Sequence, residues 1–433
     1  MTLPQGTATS HLATAPVPAW LAEIRRQAAQ DLSRVGLPDR KEENWKYTAA
    51  KKALESNSQL DTQASESDEI SLPDSLDMDD AWSLVLVDGQ IDDDLTELEN
   101  LPEGVELVSL EDALAEGGHD WLSEAWWQSP ATRDQGFSLL NSVWAGQGLV
   151  VRVAAGVELE RPIHLLTIDS GSHRGQLLSL RNIIQLGEGA KVDVVEEHRS
   201  SDEGCGFSNV LSQVALARGA QLSVTRVTRL ADQAHQVNRL VATLASEASL
   251  THRAIDLGGA LVRNDLDIDL VDEQASLTMD GLYLVGGKQH VDNHTLVKHS
   301  VPNTSSEQIY RGILAGQGHG VFNGKAYVEK GADGTEAHQN NANLLLSKRA
   351  EIDTKPELEI YAEDVVASHG ATVGQLDSTA LFYLRSRGLS EAKARRLLME
   401  AFAWELIDRM PEGSLREQLL DEVGRVLDGL TGE

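Results

Sequence analysis

Histidine is the residue type here with the widest chemical reach, and the chain has 13. His290, Asp292 and His294 stand at alternate positions, so on a strand all three project from one face. Two imidazoles and a carboxylate so placed, with His299 close behind, could hold a divalent metal. The competing reading is that they hydrogen-bond on the outer face of a strand or satisfy a turn. His338, in TEAHQNNANLLLS, sits among amides that read as a structural ladder of stacked side chains. His369 lies in ASHGATVGQLD, where a strand-rich stretch gives way to helices, and Gly370 and Gly374 imply a tightly turned, exposed backbone. A single imidazole at such a junction is either structural or a ligand. Cys205 is the only cysteine. One thiol forms neither an intramolecular disulfide nor a cysteine-based zinc site, and flanking acids disfavour its thiolate.

Other catalytic signatures are missing. No G-x-x-x-x-G-K-[ST] occurs, so the chain carries no P-loop of its own. GQGHG at Gly316–Gly320 is followed by strand-like VFNGKAYV, which makes it a loop between strands and not a phosphate cradle. No serine sits in a nucleophile elbow, and no pair of carboxylates is singled out by spacing.

The elements that position these residues divide the chain into three zones. Residues 1–145 read as a helical or α+β region with an acidic connector. A helical pattern runs through Trp20, Leu21, Ile24, Ala28 and Leu32. A second helical segment covers RKEENWKYTAAKKALES, and a short strand at Trp82–Val87 ends in the turn Asp88-Gly89. Seven of the eight tryptophans fall in this zone and are expected to pack it. Residues 146–374 show sustained period-two alternation, which excludes a helical bundle. A small residue after a turn recurs there at Ala190, Ala220, Ala248, Ala275, Gly320 and Ala350, in steps of 30, 28, 27, 45 and 30. A period near 30 built of strands means stacked coils, and the 45 is about one and a half steps. The zone is expected to be a β-helix, each coil burying its apolar face against its neighbours.

Residues 375–433 are helical. Asp377 caps a helix running to Arg387, with Gly388 beyond it. Ser390 opens a longer helix with the stripe Ala394, Leu398, Phe402, Leu406 and Met410, and Ser414 to Glu417 reads as a capping box for a third. These helices are expected to cap the solenoid end. Leu397, Ala401 and Trp404 form a second apolar face that could dock a partner.

Composition bounds the function. The chain has 433 residues, 37 Lys and Arg against 68 Asp and Glu, and a formal charge of −31. Such a surface repels nucleic-acid phosphate and anionic lipid. Residues 53–132 hold 22 acids and no Lys or Arg, which reads as a solvated surface or connector, a salt-adapted exterior, or a docking face for a basic partner. No apolar run reaches the ~18 residues of a membrane span, and the N-terminus lacks the layout of a secretory signal. A cytoplasmic protein is expected.

Beyond these signals, the stretches HVDNHTLVKHSVPNTSSEQIYRGILAG and VFNGKAYVEKGADGTEAHQNNANLLLSKRAEIDTKPELEIYAEDVVASHGATVGQLDSTALFYLRSRGL closely resemble the SufB/SufD family of iron–sulfur cluster assembly proteins. The resemblance covers about 146–410. KEENWKYTAAKKAL, VELERPIHLL and the near absence of cysteine point to the SufD side of the family. The resemblance implies a right-handed parallel β-helix between helical terminal regions. It implies pairing with SufB through the β-helix ends and docking of the SufC ATPase through the C-terminal helices. ATP would then be handled only by SufC, no cofactor would reside in the isolated chain, and an iron–sulfur cluster would be held transiently with SufB. It also implies that His369, in S-H-G-A-T, lies at the SufB seam and takes part in cluster formation. Imidazole is a borderline ligand for iron. Many family members read Cys-Ser-His-Gly where this chain has Ala367-Ser368-His369-Gly370, so no thiolate at 367 is required here. Homodimers without SufB, and flavin in the assembled complex, stay open. The alternatives are a carbohydrate-active β-helix enzyme, which needs a long groove of acidic and basic side chains, and a purely structural interaction protein.

Overall fold

The computed structural model describes residues 17–57, 74–78, 80–115, 121–171, 177–201, 204 and 206–431. Cys205 and part of the acidic connector lie outside the described residues. The centre is a parallel solenoid made of two sheets. Sheet A runs in the order Val365–Gly374, Thr335–Leu345, Ser305–Leu314, Ser276–Val285, Ser249–Asp256, Gln221–Arg229, Lys191–Ser200, Ile163–Asp169, Trp82–Val87 and Gln90–Ile91. Sheet B runs Glu351–Ile360, His319–Val328, His290–His299, Leu261–Leu270, His235–Leu244, Phe207–Leu216, Leu177–Leu186, Leu149–Val153 and Val105–Ser109. The chain alternates between the sheets, so each coil contributes one strand to each. Trp82–Val87 pairs in parallel with Ile163–Asp169, so sheet A begins well before residue 146.

The recurring small residue has a plain cause. Ala190, Ala220, Ala248 and Ala275 stack as a buried column immediately before successive strands of sheet A. Thr304 and Thr335 continue that column, their hydroxyls 3.4 Å apart. Each follows a residue at positive φ: Gly189, Gly219, Glu247, Gln274, Asn303 and Gly334. A left-handed residue turns the chain sharply, and the next side chain then points into the crowded corner, where only a small group fits. Gly320 and Ala350 belong to the sheet B side, which explains the step of 45.

The lumen between the sheets is closely packed with aliphatic side chains and two reciprocal knobs. A Cβ added at Gly281 would come 2.2 Å from the Tyr310 ring, and one at Gly312 would come 2.3 Å from the Tyr283 ring. Each tyrosine thus fills the hole left by the other coil's glycine.

The outer faces are covered differently. Helices α1 (Ala19–Val35), α2 (Ala50–Asn57), α3 (Leu110–Ala115), α4 (Trp121–Ala125) and α5 (Gly136–Trp144) precede the main run of coils, and α2 and α5 lie on sheet B. The segment expected to be one helix over 40–56 is a single 3-10 turn, Glu43–Trp45, followed by α2. That break lets Trp45 lie over Arg263, 3.9 Å from its ring centroid, as Trp126 lies over Arg181 at 4.2 Å. The tryptophans pack this region partly by stacking on buried guanidinium groups.

Helices α6 (Ser378–Ser386), α7 (Glu391–Ile407) and α8 (Ser414–Thr431) follow the last coil. Asp377 and Ser390 cap α6 and α7 through their side chains. Ser414 is the first residue of α8 and not the residue before it, and Glu417 N–H donates to the Gly413 carbonyl. The buried face of α7 is Ala394, Met399, Ala403, Leu406 and Ile407, with Leu398 and Phe402 only half-buried. Helices α7 and α8 do not cap the solenoid end as expected. They lie along the outer face of sheet A and close a second apolar core over Val227, Ile255, Leu282, Leu284 and Ile313, while α6 packs on α7. Sheet A carries apolar side chains on both faces, so its outer face demanded a cover more strongly than the strand edges did. Among the described residues no helix is long and apolar enough to cross a membrane.

Candidate functional site

The two ends of the solenoid differ. At the N-terminal end the sheets finish in the antiparallel strands Gln90–Ile91 and Val105–Ser109. The first belongs to a hairpin whose turn residues Asp88 and Gly89 both have positive φ, the geometry two-residue hairpins prefer. At the other end, Glu351–Ile360 and Val365–Gly374 pair only with the preceding coil, and their outer edges are open. Pro356 lies on that open edge. Glu351 and Tyr361 N–H donate to the preceding coil, so the backbone N–H groups of even-numbered residues point to the open edge, and Pro356 has no donor to leave unpaired.

His369 sits in the middle of the last strand of sheet A, in register with Gln339. Followed back through the coils, that position is Gln308, Met279, His252, Val224, Val194 and Ile163, all buried in the lumen. His369 is therefore an inward-facing residue that is exposed because no further coil covers it. Its inward-facing neighbours on the same strand are Val365, Ala367, Ala371 and Val373, and across the lumen Ile352, Thr354, Pro356, Leu358 and Ile360. Val373 is 50 % exposed and Ile360 39 %. The open end is thus an apolar cross-section with one imidazole near its centre.

Directly beneath lies a buried polar floor. Asn341 Nδ2 donates to Tyr283 Oη at 3.0 Å, Tyr283 donates to Asn343, and Asn343 Nδ2 donates to Asn341 Oδ1 at 2.6 Å. Thr354 Oγ1 also donates to Asn341, at 2.8 Å. Burial pushes the Tyr283 phenol up, so it stays protonated. The amides near His338 were expected to form a ladder, and this floor is where they meet. His338 itself faces outward, with Nδ1 2.7 Å from Ser368 Oγ. The His369 side chain makes no hydrogen bond or ion pair among the described residues. No three His, Cys, Asp or Glu side chains converge as a metal group among them. Among the described residues the inward face of the open end carries one imidazole, that of His369.

His290, Asp292 and His294 do share the outer face of sheet B, as their spacing implied. They meet the N-terminal segment there. Asp292 binds the buried Arg263 guanidinium at 2.5 Å and His294 Nε2 at 2.9 Å, and accepts from the Thr48 hydroxyl. His290 Nε2 lies 2.8 Å from Thr48 Oγ1, and Arg263 also donates to the Asn44 carbonyl at 2.8 Å. Burial pushes Asp292 up, but Arg263 and His294 outweigh it and hold the carboxylate well below its usual range. Burial pushes His290 down to about 4, against the pull of Asp292. His290 and Asp292, with Arg263, thus hold the N-terminal segment to sheet B, and His294 supports Asp292 from the side. His299 lies in the lumen, each ring nitrogen facing a hydroxyl, Thr304 at 2.8 Å and Ser306 at 2.9 Å.

On the C-terminal helices, Leu397 and Ala401 are exposed, while Trp404 is half-buried against the core over sheet A. Sequence reasoning missed the larger exposed groups, Phe382 at 75 % and Tyr383 at 56 %. They lie on α6, which buries no residue. The signal was the run Ala380-Leu-Phe-Tyr-Leu384, too apolar for a helix with no buried face. The pair α7 and α8 is fixed to sheet A by ion pairs, buried at Arg199, Glu197 and Glu422. Arg199 binds both Glu197 and Glu422, Arg229 reaches Glu422 at 3.3 Å, and Arg409 bridges Asp280 and Glu307.

A family model described as the SufBD core domain of SUF system iron–sulfur cluster assembly matches residues 167–402. A second, for the SufBD protein N-terminal region, matches 7–165. The chain belongs to the SufB/SufD family. The SufD iron–sulfur cluster assembly protein of Escherichia coli is 32 % identical over 413 residues, 93 % of this chain and 92 % of that protein. A SufBD family protein of Synechocystis sp. is 31 % identical over 415 residues, covering 92 % and 89 %. The SufD protein of Bacillus subtilis is 25 % identical over 425 residues, 94 % of each. A SufB/SufD-family chain is a component of iron–sulfur cluster assembly, and its solenoid is the parallel one described above.

Proposed function

We propose that this chain is a SufD-type, non-catalytic scaffold subunit in the cytoplasm. It pairs through its open solenoid end with SufB and docks SufC through its C-terminal helices. The observation that carries this reading is the position of His369, inward-facing yet exposed at the centre of an apolar open end. A second solenoid stacked there would cover Val373, Leu358 and Ile360, each worth about 1.5–3 kcal/mol when fully buried. Unpaired backbone groups on both edges would find partners at the same time. The cluster is cargo at that seam. His369 contributes one nitrogen ligand, and the thiolates come from the partner, since Ala367 cannot supply one. Exposed Phe382, Tyr383 and Leu397 form the face offered to SufC, which alone handles ATP.

The test is reconstitution with SufB and SufC, comparing the parent chain with His369→Ala. The variant is expected to co-purify in the same stoichiometry and to yield less iron and labile sulfide per complex. Unchanged yield removes His369 from the mechanism, and failure to assemble in the parent itself removes the scaffold reading.

A further inference from the structure

Deep in the lumen, away from the open end and independent of the proposed function, a cavity of about 20 Å³ lies between the sheets. Its polar lining is Glu196, Arg226 and His252 from sheet A and Ser212, Asn238 and Arg239 from sheet B, among aliphatic side chains such as Val224, Leu240 and Leu250. Arg226, Asn238 and His252 are each at least nine-tenths buried. Four of their atoms make no hydrogen bond within the protein: Arg226 Nε and Nη2, Asn238 Oδ1 and His252 Nδ1. Arg226 Nη2 comes only within 3.5 Å of Asp256 Oδ1.

The free end at Asn238 follows from a polarised amide ladder. Asn238 Nδ2 donates to Asn264 Oδ1 at 2.9 Å, and Asn264 Nδ2 donates to Asn293 Oδ1 at 2.8 Å. Each amide passes its donor to the next coil, so the first oxygen of the ladder is left over.

We propose that this cavity is a binding site for a single water molecule that joins the two sheets. The volume matches one water, since a site needs roughly 10–15 Å³ and two to four polar partners. The partners are mixed in character, which selects the ligand. Arg226 offers two N–H donors, Asn238 offers an acceptor, and the neutral His252 ring accepts or donates according to its tautomer. A halide could use only the donors, and a cation only the acceptors. An anion is further disfavoured because the Glu196 carboxylate also lines the cavity and Asp256 lies 3.5 Å from Arg226. Burial pushes the Glu196 carboxyl up, but His198 and Arg226 outweigh it and keep it ionised. A buried guanidinium without such a partner would carry a heavy desolvation cost.

The test is crystallography of the full-length chain at about 1.6 Å, with a second crystal soaked in bromide. One well-ordered peak is expected within about 2.7–3.2 Å of Arg226, Asn238 and His252, with no anomalous signal there after the soak. A bromide peak would make it an anion site, and no peak, with the side chains paired to one another, would overturn the proposal. In solution, water-oxygen relaxation dispersion should count one fewer long-lived buried water in Arg226→Met than in the parent. Equal counts in a folded variant would also overturn it.

Discussion

Replacing Arg263 by Met tests whether the His290, Asp292 and His294 cluster is a fastening for the N-terminal segment. The Arg263 and Asp292 side chains are each 1 % exposed. Removing one partner of so buried a pair leaves an uncompensated charge and costs about 3–5 kcal/mol. Loss of the stacking of Arg263 under Trp45 adds up to about 2 kcal/mol. The variant should therefore be destabilised by several kcal/mol, and its N-terminal segment should become the first site of limited proteolysis. A second substitution, Asp292→Asn, should restore at least about 1.5 kcal/mol, because it removes the more deeply buried of the two carboxylates left stranded, the other being Asp265, which Arg263 also binds at 2.7 Å. The pH dependence has opposite signs in parent and variant. In the parent the Asp292 pKa is depressed, so its contribution is present above the unfolded value near 3.8 and is lost only as pH falls below it. In Arg263→Met the buried carboxylate loses its main counter-charge, its pKa rises above the unfolded value, and stability falls as pH increases from about 4. Urea unfolding of parent, single and double variants at pH 3, 5 and 8 measures all of this. A single variant within about 1 kcal/mol of the parent, or an equal loss in the double variant, refutes the reasoning. So does a midpoint that rises with added zinc or iron in the parent and not in the variant, because the cluster would then hold metal.

Gly281→Ala should cost about 1–3 kcal/mol through overpacking against Tyr310, read as a lower denaturation midpoint. In a Tyr310→Ala background the same change should be close to neutral. Phe382→Ser should weaken binding of SufC more than tenfold while shifting the midpoint by no more than about 0.5 kcal/mol, because the ring is 75 % exposed and supports no core. Burial pushes His290 and His299 down to about 4. The unfolded chain then binds protons that the folded chain refuses, so stability should be full above about pH 6.5 and decline as pH falls from there towards 4, which thermal melts at pH 7 and 4.5 will show. Glu422→Gln should loosen α7 and α8 from sheet A by leaving Arg199 short of a counter-charge, read as faster amide exchange in α8.

The sequence alone determined the solenoid, because its cause is local and repeated. A left-handed residue followed by a small one turns each coil, and alternating side chains fill the lumen, so the period is written directly in the chain. It also determined the family and the lone imidazole in Ser-His-Gly. Two features were out of reach of local pattern. Which surface the C-terminal helices cover depended on whether sheet A's outer face or the strand edges lost more by facing water, a comparison between distant parts of the chain. The tasks of the histidines were likewise set by what lies across from them: Arg263 and Thr48 for the 290–294 cluster, hydroxyls for His299, and open solvent for His369. Spacing fixes the face a side chain occupies, whereas its partners come from residues hundreds of positions away, and only the folded chain brings those together.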